Sequence, residues 1–206
     1  MKNNKLTYTK KNLKEFDRLT FAIFLCIQDM AKSGCNYVSK EMILCQINDS
    51  KNKNIKHEID NLCSLGFINK VMTNCYHINR ELFDLKDDFA IITTEEFYKI
   101  TNHKCKNSLA LLHHFCCLIA SIDYNLDVNG VKNIIGHMSA KYFAKEYNLA
   151  INSVRSYNKT LQEIGLLYVK NQYCKETQEY GTNLYSRSSN SSFVDMLTNI
   201  NYNGIM

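Results

Sequence analysis

The sequence predicts a mainly α fold with small β hairpins, an α+β chain built as two tandem domains of one architecture. Three observations predict it. Residues 138–169, MSAKYFAKEYNLAINSVRSYNKTLQEIGLLYV, read as helix, turn, helix, strand. A stretch about 100 residues earlier, YVSKEMILCQINDSKNKNIKHEIDNLCSLGFINKVMTNCYHINREL, repeats its landmarks. Val38-Ser39 answers Met138-Ser139, Asn48 answers Asn148, and Leu62-x-x-Leu65-Gly66-Phe67-Ile68 answers Leu161-x-x-Ile164-Gly165-Leu166-Leu167. Each copy also follows a segment with helical spacing that is apolar nearly all round, residues 15–32 and 109–123. These repeats divide the chain into domains 1–83 and 84–206, with residues 82–88 as the linker.

In the later copy, Ser139 is placed to cap a helix whose Tyr142, Phe143 and Tyr147 recur at helical spacing and form one buried face. Residues 147–149 interrupt the pattern, since Asn148 tolerates turn geometry, and Asn152 or Ser153 is placed to cap a second helix. Val154, Tyr157 or Asn158, Leu161 and Ile164 form its inward stripe, and Gly165 stops it. A short β-rich run, 166–169, follows directly. In chain order before this, Leu6, Tyr8 and Leu13 lay a short strand or arm over the first domain. The helix over 15–32 presents Phe16, Leu19, Ile23, Cys26, Ile27 and Met30 on one stripe and ends at residues 33–35. After Gly66, residues 67–72 and 76–79 alternate as two strands around Thr73-Asn74. Residues 89–92 read as a strand, 94–96 as the opening of a helical turn, and Asn107 or Ser108 as the cap of the second apolar helix. Residues 123–135 form a loop whose Tyr124, Leu126, Val128, Ile134 and Ile135 pack down, 170–188 a longer hairpin, and 192–200 a closing helix.

The order S-A-K-Y-F-A-K-E-Y-N-L-A-I-N-S-V-R-S-Y-N-K-T-L-Q-E-I-G-L-L resembles the bacterial winged helix-turn-helix pattern, in which a Leu-x-x-x-Gly-Leu-hydrophobic ending closes the recognition helix. A second resemblance, of FAIITTEEFYKITN and NSLALLHHFCCLIASI ahead of that motif, is to the amino-terminal winged-helix domain of plasmid and phage replication initiators. The resemblances imply two tandem winged-helix domains with small β wings and a double-stranded DNA partner. Base reading needs polar side chains on a helix in the major groove, with cations on phosphates. The second recognition helix offers Asn152, Ser153, Arg155, Ser156 and Lys159; the first offers Ser50, Lys51, Asn52, Lys53, Asn54, Lys56 and His57, a cluster better suited to phosphates than to discrimination. The wings add Lys170, Gln172, Tyr173, Lys175 and Arg187 in one domain and Lys70, Asn74 and Arg80 in the other, while Glu176 and Glu179 argue against deep groove insertion. The same polar residues would also serve as the solvated face of an amphipathic helix, and winged helices also bind proteins.

Composition is consistent with this. The net charge of +5 is spread evenly, +3 over residues 1–88 and +2 over 89–206, so local placement must carry the case for a phosphate partner. Nine cysteines without a framework spacing point to a reducing cytosol. The amino terminus lacks an apolar run of signal-peptide length, and the longest such run, residues 21–27, is far short of the roughly 18 residues that span a bilayer. The expectation is a cytoplasmic protein without a membrane partner. His113, His114, Cys116 and Cys117 lie within one helical turn of each other, near His103 and Cys105, but no Cys-x-x-Cys accompanies them. They read as packing, as do Cys26, Cys45 and Cys63, and neither metal nor cofactor is predicted. No His-x-His, phosphate-cradling Gly-rich loop, Gly-x-Ser-x-Gly or paired acidic motif occurs, so no catalysis is expected. The two apolar helices offer a surface for homodimer contacts. A replication initiator is the leading expectation, with a transcriptional regulator of a mobile element or a protein-interaction adaptor as alternatives.

Overall fold

A computed structural model of the chain describes residues 3–48, 54–83, 85, 89–105, 107–123, 135–137, 139–170, 173–174, 179–180, 183–192 and 194–195. It is a mixed α+β protein, mostly helical with small antiparallel sheets, and it divides into two compact units, Met1–Cys116 and Cys117–Met206.

In the first unit the order is β1 (Lys5–Tyr8), α1 (Lys10–Glu15), α2 (Arg18–Lys32), β2 (Tyr37–Val38), α3 (Lys40–Gln46), α4 (Ile55–Ser64), β3 (Ile68–Met72), β4 (Cys75–Ile78), β5 (Ala90–Thr93), α5 (Thr94–Thr101) and α6 (Ser108–Asp123), the last running on into the second unit. The second unit continues with β6 (Gly136–His137), α7 (Ala140–Glu146), α8 (Ile151–Glu163), β7 (Leu167–Lys170), β8 (Tyr173–Cys174), β9 (Glu179–Tyr180) and β10 (Leu184–Arg187). Three-stranded sheets form in the orders β2-β4-β3 and β6-β10-β7. In both, the strand ahead of the two short helices pairs with the last strand. Between β7 and β10 in the chain, β8 and β9 pair with each other antiparallel, Tyr173 opposite Tyr180 and Cys174 opposite Glu179.

Local backbone chemistry repeats with the sequence landmarks. Ser39 accepts from the Met42 amide (3.3 Å) and Ser139 from the Tyr142 amide (3.1 Å), capping α3 and α7. Asn48 and Asn148 take φ of 52° and 49°, ending those helices with left-handed residues. Gly66 and Gly165 do the same at φ 80° and 67°, and the following amides of Phe67 and Leu166 close onto the carbonyls of Leu62 (3.0 Å) and Leu161 (2.9 Å). A Cβ on Gly66 would meet only Leu82 Cδ1 at 3.6 Å, an ordinary contact, so the left-handed backbone sets the cost of substitution there. Gly66→Ala is therefore expected to lower stability by about 1–2 kcal/mol in urea denaturation, without loss of helix by circular dichroism.

Helix α2 is the centre of the first unit. Asp17 caps it through the amides of Leu19 (2.7 Å) and Thr20 (2.9 Å), so it starts at Arg18 rather than residue 15, and Phe16 instead ends α1. Every residue from Leu19 to Ala31 is buried, polar ones included. Phe24 sits among Phe16, Phe67 and Phe83, with ring centroids 5.6, 5.2 and 5.3 Å away. The buried Asp29 carboxylate accepts from Asn4 (3.0 Å), the Thr94 hydroxyl (2.7 Å) and the Tyr98 hydroxyl (3.0 Å), tying the residues before β1, and α5, to α2. Burial, and then the adjoining Asp29, push the Tyr98 phenol up. Gln28 likewise holds both backbone groups of Thr7: its side-chain oxygen accepts from the Thr7 amide (2.5 Å) and its side-chain amide donates to the Thr7 carbonyl (3.1 Å).

Several expectations are corrected. The strand expected over residues 89–92 does not stand apart from the expected first domain: β5 pairs along all of β1, Lys5 opposite Thr93 through Tyr8 opposite Ala90, which gives β1 the partner its ladder needs. Phe83, expected in a linker, is 4% exposed in the aromatic cluster. Tyr142 is 58% exposed, since one helical residue rotates it about 100° from the buried Phe143. Cys45 is exposed because Ile43 and Ile47 take the inward stripe of that turn, and Cys63 is half-buried; Cys26 is fully buried as expected. Residues 19–31 of α2 and 110–120 of α6 are buried without a break. The loop residues Tyr124, Leu126, Val128 and Ile134, and most of the expected closing helix, lie outside the described residues. Among the described residues, no helix is long and apolar enough to cross a membrane.

His113 Nε2 lies 3.0 Å from the Leu13 carbonyl oxygen, which requires that nitrogen to be the donor, and its ring meets Phe21 edge-on at 5.8 Å. Among the described residues, no three His, Cys, Asp or Glu side chains converge to hold a metal. Burial holds the His113 pKa below its usual value of 6.5. With the folded pKa depressed, its stabilising contribution is complete above the unfolded value and is lost as pH falls through the folded one. Denaturation midpoints should therefore fall from pH 7 to pH 5, and His113→Gln, which keeps a donor for Leu13, should flatten that fall.

Candidate nucleic-acid interface

The candidate surface is built on α8. The turn before it is fixed by Asn148 in the left-handed region and by the Leu149 amide closing onto the Ala144 carbonyl at 2.8 Å. The helix begins at Ile151 with Ala150 as its cap residue and no side-chain cap. Asn152 and Ser153, expected as caps, thus lie inside the first turn: Asn148 already makes the turn, and the chain enters the helix sooner than a polar cap would require. Val154, Asn158 and Leu161 are buried, a spacing of four and three that makes one inward stripe. Tyr157 and Ile164 are half-buried.

Away from that stripe, Asn152, Arg155, Ser156 and Lys159 are all exposed, at i, i+3, i+4 and i+7, so they share one face. Ser153 is half-buried at its margin. Among the described residues, nothing hydrogen-bonds to or ion-pairs with the side chains of Asn152 and Arg155. Lys159 approaches Glu163 at 3.9 Å with 79% of its side chain exposed, a screened contact worth little. Glu163 is the only acidic residue of α8. The exposed Lys141, Tyr142 and Lys145 lie on the preceding helix.

The corresponding face in the first unit is different. Asn54, Lys56 and His57 are exposed at the start of α4, where Asn54 occupies the cap position without a side-chain cap bond. His57 Nε2 lies 4.0 Å from the buried Glu58 carboxylate, whose other oxygen accepts from Thr20 (2.6 Å) and Asn61 (2.8 Å). The exposed Asp60 follows. Ser50, Lys51, Asn52 and Lys53 lie outside the described residues. Asn74 stands at the turn between β3 and β4 with φ 59°, accepts from the Lys40 amide (3.1 Å) and donates to Glu41. That bond leads the causes that hold the Glu41 carboxyl below its usual range. Asn74 therefore anchors the hairpin to α3, and Arg80 donates to the Cys35 carbonyl (3.1 Å). Lys70 is exposed on β3.

On the second unit's hairpin, Arg187 is half-buried at the end of β10. Lys170 is held by Asp195: the Asp195 Oδ1 atom accepts from Lys170 Nζ (2.7 Å) and from the Tyr168 hydroxyl (2.6 Å). These bonds, that from Lys170 first, keep the Asp195 carboxyl low, and the Asp195 bond raises Lys170. Gln172 and Lys175 lie outside the described residues. Two features of the site had no sequence signal at the outset. The Asp195 contact spans 25 residues with no periodic pattern, and Glu58 occupies an inward position on a helix read from its cations. The chain matches no protein-family model and no curated protein.

Proposed function

We propose that each helix–helix–sheet unit is a winged helix-turn-helix module and that the chain is a non-enzymatic double-stranded DNA-binding protein, a replication initiator of a plasmid or phage. One observation carries the reading: α8 turns Asn152, Arg155, Ser156 and Lys159 outward on a single face with no acidic residue before Glu163. A helix fits the major groove, where Arg pairs bidentately with guanine and Asn with adenine, and Lys suits a phosphate. The first unit plays the lesser part in discrimination, because Glu58 and Asp60 accompany its cations on α4. The initiator role rests on the resemblance carried by residues 89–122.

Footprinting on DNA flanking the coding region tests this proposal. An initiator protects several direct repeats. Protection of a palindrome over the promoter would instead make the protein a transcriptional regulator, and absence of any protected or retarded duplex would remove the DNA reading and leave a protein adaptor.

A further inference from the structure

Tyr168 and Lys170 are two apart on β7 and therefore share one face of the sheet. A single oxygen of Asp195 accepts from both, at 2.6 and 2.7 Å, from a position 25 residues beyond Lys170. An anionic oxygen receiving an ammonium and a hydroxyl is the arrangement a backbone phosphate makes with the same two donors. The pair is open to exchange, since the Lys170 and Asp195 side chains are 38% and 43% exposed. Its neighbour Val194 is fully buried, so the segment is anchored independently of the carboxylate.

Resting on the reading of the second unit as a DNA-binding module, we propose that Asp195 is an internal phosphate mimic that occupies Lys170 and Tyr168 and competes with the DNA backbone for them. DNA that engages this hairpin displaces Asp195. Asp195 thereby lowers affinity for any duplex, whatever its sequence.

The test is fluorescence anisotropy of the full chain with a labelled duplex carrying the footprinted site, over a range of salt. Asp195→Asn keeps an acceptor for Tyr168 and removes the charge. It should bind about threefold more tightly, with a salt slope steeper by roughly 0.9, the signature of one added phosphate contact. The gain must vanish in Asp195→Asn/Lys170→Ala. Lys170→Ala alone should change affinity less than about twofold, because wild-type Lys170 is already neutralised, and this variant serves if Asp195→Asn fails to fold. An unchanged or weaker Asp195→Asn, or a gain that survives removal of Lys170, overturns the mimic. If Arg155→Ala still weakens binding in that case, the DNA reading stands alone; if wild type and Asp195→Asn both leave the duplex unbound, both proposals fall.

Discussion

Replacing Phe24 by alanine is expected to lower the stability of the first unit by about 3–5 kcal/mol, the range for emptying a buried aromatic position. Phe24 is 1% exposed and meets rings from four places in the chain: Phe16 at the end of α1, Phe21 on α2 itself, Phe67 after α4, and Phe83 beyond β4. Because Phe16, Phe67 and Phe83 belong to separate elements, collapse into the cavity would need several backbones to move together, which places the cost toward the upper end. A domain of this size has about 5–15 kcal/mol in total. Urea denaturation followed by circular dichroism should show a large fall in midpoint. A loss under about 1 kcal/mol would mean that these rings do not converge on Phe24.

The second large effect is on binding. Arg155→Ala should cost about 1–3 kcal/mol on a specific duplex while leaving the denaturation midpoint unchanged, since the side chain is exposed and, among the described residues, has no hydrogen bond or ion pair to lose. Arg155→Lys separates the two roles a cation can have there. Lysine keeps the charge but not the planar fork, so it should restore binding to mixed-sequence DNA and fail to restore discrimination at the base read by Arg155. Equal recovery on both DNAs would make Arg155 a phosphate contact and move base reading elsewhere.

Much of the scaffold was legible because its landmarks are local. Ser39, Ser139, Asn48, Asn148, Gly66 and Gly165 act within one helical turn, so residue type alone announces the caps and reversals. The near all-round apolarity of residues 15–32 likewise announces a helix covered on more than one side, and Gln28 and Asp29 are buried with its apolar neighbours. What sequence did not disclose depends on distant partners. The pairing of β1 with β5 spans more than 80 residues and joins the start of the chain to a strand beyond the expected linker. The capture of Phe83 by Phe24 and Phe67 turned an apparent linker into core. On the candidate surface, helical spacing places Asn152, Arg155, Ser156 and Lys159 on the exposed side of α8 but not Ser153, and neither the neutralisation of Lys170 by Asp195 nor the inward position of Glu58 follows from counting cations.

On the proposed function, the outward face of α8 meets duplex DNA. An amide NMR titration of the full chain with the footprinted duplex tests it most directly. The largest shift changes are expected at Asn152, Arg155, Ser156 and Lys159, saturating with the duplex. Changes confined to other parts of the chain, with these four residues unmoved at saturation, would contradict it.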